Sequence, residues 1–96
     1  MQIRFQPEAE AELAEARLWY SLQREGLDLA LMQRVNQTLR AIVAAPRSYP
    51  IVYRNLRRAV LRKFPFAIFY ESTESEIVVF AVYHSKRDPQ QLIPRF

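Results

Sequence analysis

The hydrophobic period changes once, at Pro46, and that change restricts the fold more than any other feature of this 96-residue chain. Before it, apolar residues recur every three or four positions; after it, they alternate or run together. Helices bury stripes of the first kind and strands bury faces of the second. Ala9, Leu13, Ala16 and Tyr20 fall on one stripe at 100° per residue. Pro7 suits the first turn of such a helix, where its missing N–H is no loss. Glu8, Glu10 and Glu12 bring negative charge to the positive end of the helix dipole, and are expected to be solvated. A helix is therefore predicted over 7–23, with Trp19 beside its stripe and small alanines that allow close approach of another element. Leu31, Val35, Leu39 and Ile42 define a second stripe, and a helix from about Asp28 to Ala45. Gly26, the only glycine, separates the two, and Pro46 stops the second. Two amphipathic helices this close form an antiparallel hairpin.

Residues 2–5 alternate and read as a short strand. Beyond Pro46, Tyr49, Pro50 and Tyr53 belong to a connection. Three strands follow, over 57–63, 67–71 and 77–83, with a tight turn at Pro65 and a polar turn over 72–75. The last strand, Ile77-Val78-Val79-Phe80-Ala81-Val82-Tyr83, is apolar on both faces, as in a strand covered on both sides. The expectation is a single α+β domain over 1–96. It has two layers in the order βααβββ: an N-terminal strand, then a helix hairpin packed on a C-terminal three-stranded antiparallel meander.

Charge divides at the same place. Residues 1–45 carry a balance of −1 and residues 46–96 a balance of +5. A basic half suits an anionic partner: nucleic acid, a nucleic-acid enzyme or an acidic peptide. It equally serves solubility. The absence of cysteine excludes disulfides and thiolate metal sites, and one histidine cannot build a metal cluster. Neither a metal nor a cofactor is expected. No apolar run approaches the roughly 20 residues of a membrane span. The N-terminus does not read as a secretion signal, so a cytoplasmic location without membrane association is expected.

Two segments carry candidate chemistry. Arg54, Arg57, Arg58, Arg62 and Lys63 fall within eleven residues. On an unbroken strand Arg58 and Arg62 share one face, and Arg57 and Lys63 the other. Guanidinium forks bind phosphate and carboxylate alike, and charges also protect an edge strand from aggregation. The second segment is Tyr83-His84-Ser85-Lys86-Arg87-Asp88-Pro89. Its imidazole could move protons beside Lys86 and Arg87, or simply cap the apolar face it shares with Val82. Arg87 and Asp88 could close the strand end as an ion pair. Gly-rich phosphate loops, metal-ligand spacings and Ser-His-Asp arrangements are missing.

The stretch from Leu56 to Tyr70, with its Phe64-Pro65 turn, resembles the central hairpin of RelE/ParE superfamily toxins of type II toxin–antitoxin systems. Ala81-Val82-Tyr83-His84-Ser85-Lys86-Arg87-Asp88-Pro89 resembles the end of their last strand, and Pro7-Glu8-Ala9-Glu10-Ala11-Glu12-Leu13 their first-helix opening. The resemblance covers nearly the whole chain and implies a growth-arresting toxin, of the kind that stabilises plasmids, with a cognate antitoxin as partner. RelE-like members cleave messenger RNA on the ribosome; ParE-like members inhibit DNA gyrase by binding. The RNA-cleaving pattern is depleted here. Arg58 and Arg87 match two of its positions, and His84 is the obvious proton carrier. However, Val60 and Ala67 stand where basic residues are expected, and no Tyr follows Tyr83. The ending His84-Ser85-Lys86-Arg87-Asp88 is more like the ParE branch. The resemblance thus implies a gyrase inhibitor whose target contacts are Arg57, Arg58, Arg62, Lys63, His84, Lys86 and Arg87. The alternatives are a ribosome-dependent endoribonuclease using Arg58, His84 and Arg87, or an inactive member retaining only antitoxin binding. The antitoxin would present an acidic amphipathic helix or strand. A homodimer and a toxin–antitoxin hetero-oligomer both fit. Each active reading needs the basic strand and the closing turn to share one exposed patch.

Overall fold

A computed structural model describes residues 1–95; Phe96 lies outside the described residues. The elements run β1 (Gln2–Phe5), α1 (Pro7–Gln23), α2 (Leu27–Ala44), β2 (Ile51–Tyr53), β3 (Leu56–Val60), β4 (Phe66–Ser72), β5 (Glu76–His84) and a closing 3₁₀ segment, Pro89–Arg95. The helices form where the stripes place them. In α1, Ala9 and Ala16 are buried and Leu13 and Tyr20 pack against the core. In α2, Leu31, Val35, Leu39 and Ile42 are all buried, each contributing about 1.5–3 kcal/mol of transfer free energy. Gly26 caps α2 at φ 84°, a left-handed conformation that glycine adopts without a Cβ clash.

The meander β3-β4-β5 is present, but as the middle of a five-stranded sheet in the order β1-β5-β4-β3-β2. Two additions correct the sequence reading. The segment taken as a connection contains β2, three residues paired antiparallel with β3. Its brevity and the flanking Pro50 hide any alternation. The N-terminal strand joins the other edge, parallel to β5, with Phe5 opposite Val79. Period-2 alternation identifies a strand but is silent on its neighbour. Arg4 also reaches across to Glu76 at 3.2 Å, an exposed pair of small energetic weight.

A third correction concerns the basic strand. It ends at Val60 and not at Lys63. Leu61 and Phe64 turn into the core, and Lys63 sits at φ 67°, so the alternation of faces stops before Arg62. The hairpin closes without glycine, with a left-handed lysine in its place.

In β5 a bulge interrupts the pairing. Phe69 faces Ala81 and Tyr70 faces Val79, so Phe80 is the extra residue. Ile77 and Val79 therefore point to the helices before the bulge, and Val82 does so after it. The opposite face holds a second core of Leu56, Ala67, Phe69, Ala81 and Tyr83, closed by the fully buried Leu92. The closing segment thus covers the sheet where helices do not, which explains why the last strand is apolar on both sides.

Tyr70 ties the layers together. It is fully buried, and its hydroxyl donates to the Pro46 carbonyl at 2.6 Å, where α2 hands over to the sheet. Burial pushes its phenol from 10.0 up to about 12, with Arg57 opposing the shift. An acid whose folded pKa is raised supports folding below its ordinary pKa and withdraws that support as pH rises through the folded value. Stability should therefore fall between pH 10 and 12. Tyr70→Phe should cost about 1–2 kcal/mol at neutral pH and flatten that slope, as read by denaturant unfolding at a pH series.

Candidate functional site

The turn after β3 and the exit of β5 lie side by side. Phe66 pairs with His84 across the sheet, and the Ser85 N–H donates to the Pro65 carbonyl at 2.8 Å. Exposed Arg62 and Lys63 on one loop therefore share an end of the molecule with exposed His84, Lys86 and Arg87 on the other. These five are the part of the expected patch that the fold brings to one end, with Arg62 also lining a pocket beside Arg34, Gln37 and Tyr49.

Arg57 and Arg58 leave it. Arg57 points to the helix side, where its Nη1 donates to the carbonyls of Tyr49 (2.7 Å) and Arg47 (3.2 Å). It clamps the α2–β2 connection. Arg58 follows one residue later and projects from the opposite face beside Leu56. Its Nε is buried without a hydrogen-bond partner.

The closing turn uses its charges in a way the sequence did not single out. Arg87 stacks 4.1 Å over the Tyr83 ring and donates from Nε to Gln91 at 2.6 Å. Asp88 accepts from the Gln90 N–H at 2.9 Å and so opens the 3₁₀ segment; it caps rather than pairing with Arg87. The His84 Nδ1 lies 3.3 Å from the Lys86 N–H, and its ring meets Phe66 at 6.0 Å. Of the three candidate nuclease residues, His84 and Arg87 meet at one groove and Arg58 stands apart. Arg58 and the Tyr83 ring that carries Arg87 belong to the helix-free face, with Leu92 packed among their neighbours. His84, in phase with Val82, belongs to the helix side.

Glu12 was expected to be a solvated dipole acid; its position overturns that. The β1 pairing stops at Val79, so the outer half of β5 has no strand beside it. Glu12 supplies the missing acceptor, taking the Val82 N–H at 3.0 Å. Arg95 supplies the missing donor, bonding the Phe80 carbonyl at 2.8 Å, Glu12 at 2.6 Å and the Tyr83 hydroxyl at 3.2 Å. The hydrogen bond that Arg95 donates to Glu12 raises the Arg95 pKa further. One carboxylate and one guanidinium therefore join α1, β5 and the closing segment. The only clue in the sequence was an acid one turn deeper than the dipole requires.

Beside this clamp, α1 and β5 enclose an open groove of about 470 Å³. Ala16, Trp19, Tyr20, Phe66 and Val82 line its apolar part, and Glu15, His84 and Arg87 its polar margin. Trp19 is 57% exposed and meets Tyr20 edge-on at 5.0 Å. Leu18 and Leu22 continue the exposed apolar strip along α1. Pleat alternation turns the His84 N–H away from β4, because the adjacent Ser85 N–H points toward it. The groove thus combines an apolar floor with a stretch of open strand edge.

The family model described as the ParE toxin of the type II toxin–antitoxin system, parDE, matches residues 3–89. This chain belongs to the ParE toxin family. Among solved structures, a chain described as the chromosomal ParDE TA system from P. aeruginosa has the same fold. Its TM-score is 0.72 at 17% identity, covering 88% of this chain and 95% of its own. No curated protein sequence matches. The ParE match spans the basic hairpin, the bulged strand and the closing turn, and stops at Pro89, where the 3₁₀ segment starts. Among the described residues no helix is long and apolar enough to cross a membrane.

The clamp makes a measurable claim about this ParE-family fold. Glu12→Ala leaves the Val82 N–H without its acceptor and a largely buried guanidinium without its carboxylate, and should cost about 2–3 kcal/mol in chemical denaturation. Glu8→Ala, one turn earlier at an exposed position, should change stability by less than about 0.5 kcal/mol.

Proposed function

We propose that this ParE-family toxin inhibits DNA gyrase by binding, without hydrolysing a substrate, and is neutralised by a cognate antitoxin. The carrying observation is the separation of Arg58 from His84 onto opposite sheet faces. Metal-free RNA cleavage needs a proton carrier and charge stabilisers around one phosphate. Here the only imidazole sits across the sheet from Arg58, on whose face Leu92 packs. Binding makes no such demand. A cluster of Arg62, Lys63, His84, Lys86 and Arg87 at one end suits a large anionic enzyme–DNA complex, steering encounter by long-range attraction. Arg57, committed to backbone carbonyls, lies outside that cluster.

The antitoxin has a natural seat in the α1–β5 groove. Its apolar floor would accept the hydrophobic side of an amphipathic segment, and His84 and Arg87 at the margin favour acidic residues there. Occupying the groove also places the antitoxin beside the cationic end, so neutralisation follows from coverage.

Two measurements test this. In a supercoiling assay with purified gyrase, the wild-type toxin should inhibit, and Lys86→Ala with Arg87→Ala should weaken inhibition by about tenfold or more. Unimpeded supercoiling in excess toxin, together with cutting of ribosome-bound messenger, would establish the endoribonuclease instead. Separately, Trp19 is the only tryptophan. Its emission should shift to the blue when antitoxin binds, and Trp19→Ala should cost about 2 kcal/mol of antitoxin affinity. Unchanged emission on complex formation would place the antitoxin elsewhere.

A further inference from the structure

At the far end of the sheet from the cationic patch, the helix-side face is open over β2 and β3. Helix α2 ends at Ala44, and the chain descends through Pro46 and Tyr49 to β2. Beyond that descent lies a predominantly polar pocket of about 330 Å³, lined by Arg47, Ile51, Asn55, Arg57 and Ser72. None of these residues is acidic.

The pocket is built by the sheet register. Ile51 pairs directly with Arg57, so both side chains rise from the same face. Ser72, in phase with Ile68 and Tyr70, rises from that face at the end of β4. Asn55 comes from the β2–β3 turn, whose other residue, Arg54, is held at φ 51°. A non-glycine residue in that region marks a turn held by its surroundings. Arg47 is exposed and enters from the loop after α2.

Arg57 is the fixed element. Its Nη1 spends its hydrogens on the Tyr49 and Arg47 carbonyls, at 2.7 and 3.2 Å. Those bonds remove the rotamer freedom that usually taxes an arginine on binding. A guanidinium carries five N–H donors, so Nε and Nη2 remain for a ligand. Ile51, itself exposed, forms the apolar wall of the pocket.

From this we propose that the corner binds a phosphate group. Two guanidiniums, an amide and a hydroxyl converge from separate elements. That supplies two positive charges and donors in several directions, which the tetrahedral oxygens of a phosphate, monoester or diester, can use. A planar carboxylate would engage a single fork. The phosphate belongs either to a small phosphorylated molecule or to a nucleic-acid backbone. The site stands apart from the groove and from the cationic end proposed to meet gyrase, so its fate does not depend on that reading.

The test is a titration of the ¹⁵N-labelled full chain with sodium phosphate at constant ionic strength, so that general screening is held fixed. Amide resonances of Asn55, Arg57 and Ser72 and the Arg57 Nε–H should move and saturate. Arg47→Glu, at an exposed position without a structural side-chain bond, should weaken binding by about tenfold or more. A parallel titration uses a short oligonucleotide without terminal phosphate. If it moves the same resonances, the phosphate is that of a nucleic-acid backbone. If only inorganic phosphate does, the ligand is a phosphomonoester. Shifts that rise linearly without saturating, shifts indifferent to Arg47→Glu, or shifts confined to residues 84–87 would overturn the proposal.

Discussion

Strand β5 must be satisfied on four sides, and most of the structure can be understood as the means of doing so. Its apolar residues point both ways, so both faces of the sheet need cover. The helix hairpin covers one, with α1 lying on β5 and the stripes of both helices sharing one core with Ile77, Val79 and Val82. The closing 3₁₀ segment covers the other through Leu92. Its edges need partners as well. Strand β4 pairs along one, but β1 reaches only to Val79 along the other. Glu12 and Arg95 stand in for the missing strand. An unpaired amide and carbonyl at a partly buried edge would cost more than a surface ion pair returns. The clamp is therefore best understood as backbone satisfaction, with charge pairing secondary.

That constraint also sorts the arginines. The basic residues of the second half look alike in the sequence, yet their roles differ. Arg57 holds a loop, Arg95 holds a strand edge, and Arg87 stacks on Tyr83 while its guanidinium stays exposed. Arg62 and Lys63 are left exposed because the strand stops two residues before them. The surplus of positive charge is thus partly structural, and the portion free to act outward is concentrated at one end. This bears on function within the ParE family. A binding inhibitor needs a charged surface with correct shape; a nuclease needs its groups around a single phosphate. Arg58 and His84 lie on opposite faces of the sheet, so they do not surround a single phosphate.

Much of the architecture was legible from pattern alone. The stripes of α1 and α2 emerged as read, and α1 kept its bounds from Pro7 to Gln23. The three meander strands were present, as was the two-sided burial of the last. Less of the site was legible. The grouping of Arg62, Lys63, His84, Lys86 and Arg87 depends on the Pro65 turn meeting Ser85, a contact between residues 20 apart in the chain. Arg57 and Arg58 could be placed on opposite faces by alternation, but nothing local indicated that Arg57 would find two carbonyls.

Local order was set by the sequence because side-chain periodicity acts within a few residues. Stripes, alternation and prolines settle helix, strand and stop without reference to distant chain. Pairing was decided only by the tertiary structure. Which edge β1 joins, the existence of β2, the bulge at Phe80 and the union of Glu12 with Arg95 all balance hydrogen bonds between segments far apart. Glu12 and Arg95 are separated by 83 positions. A carboxylate on a helix carries no local sign of which amide it will accept. That assignment exists only once β5 has been covered on both faces and one stretch of its edge remains open.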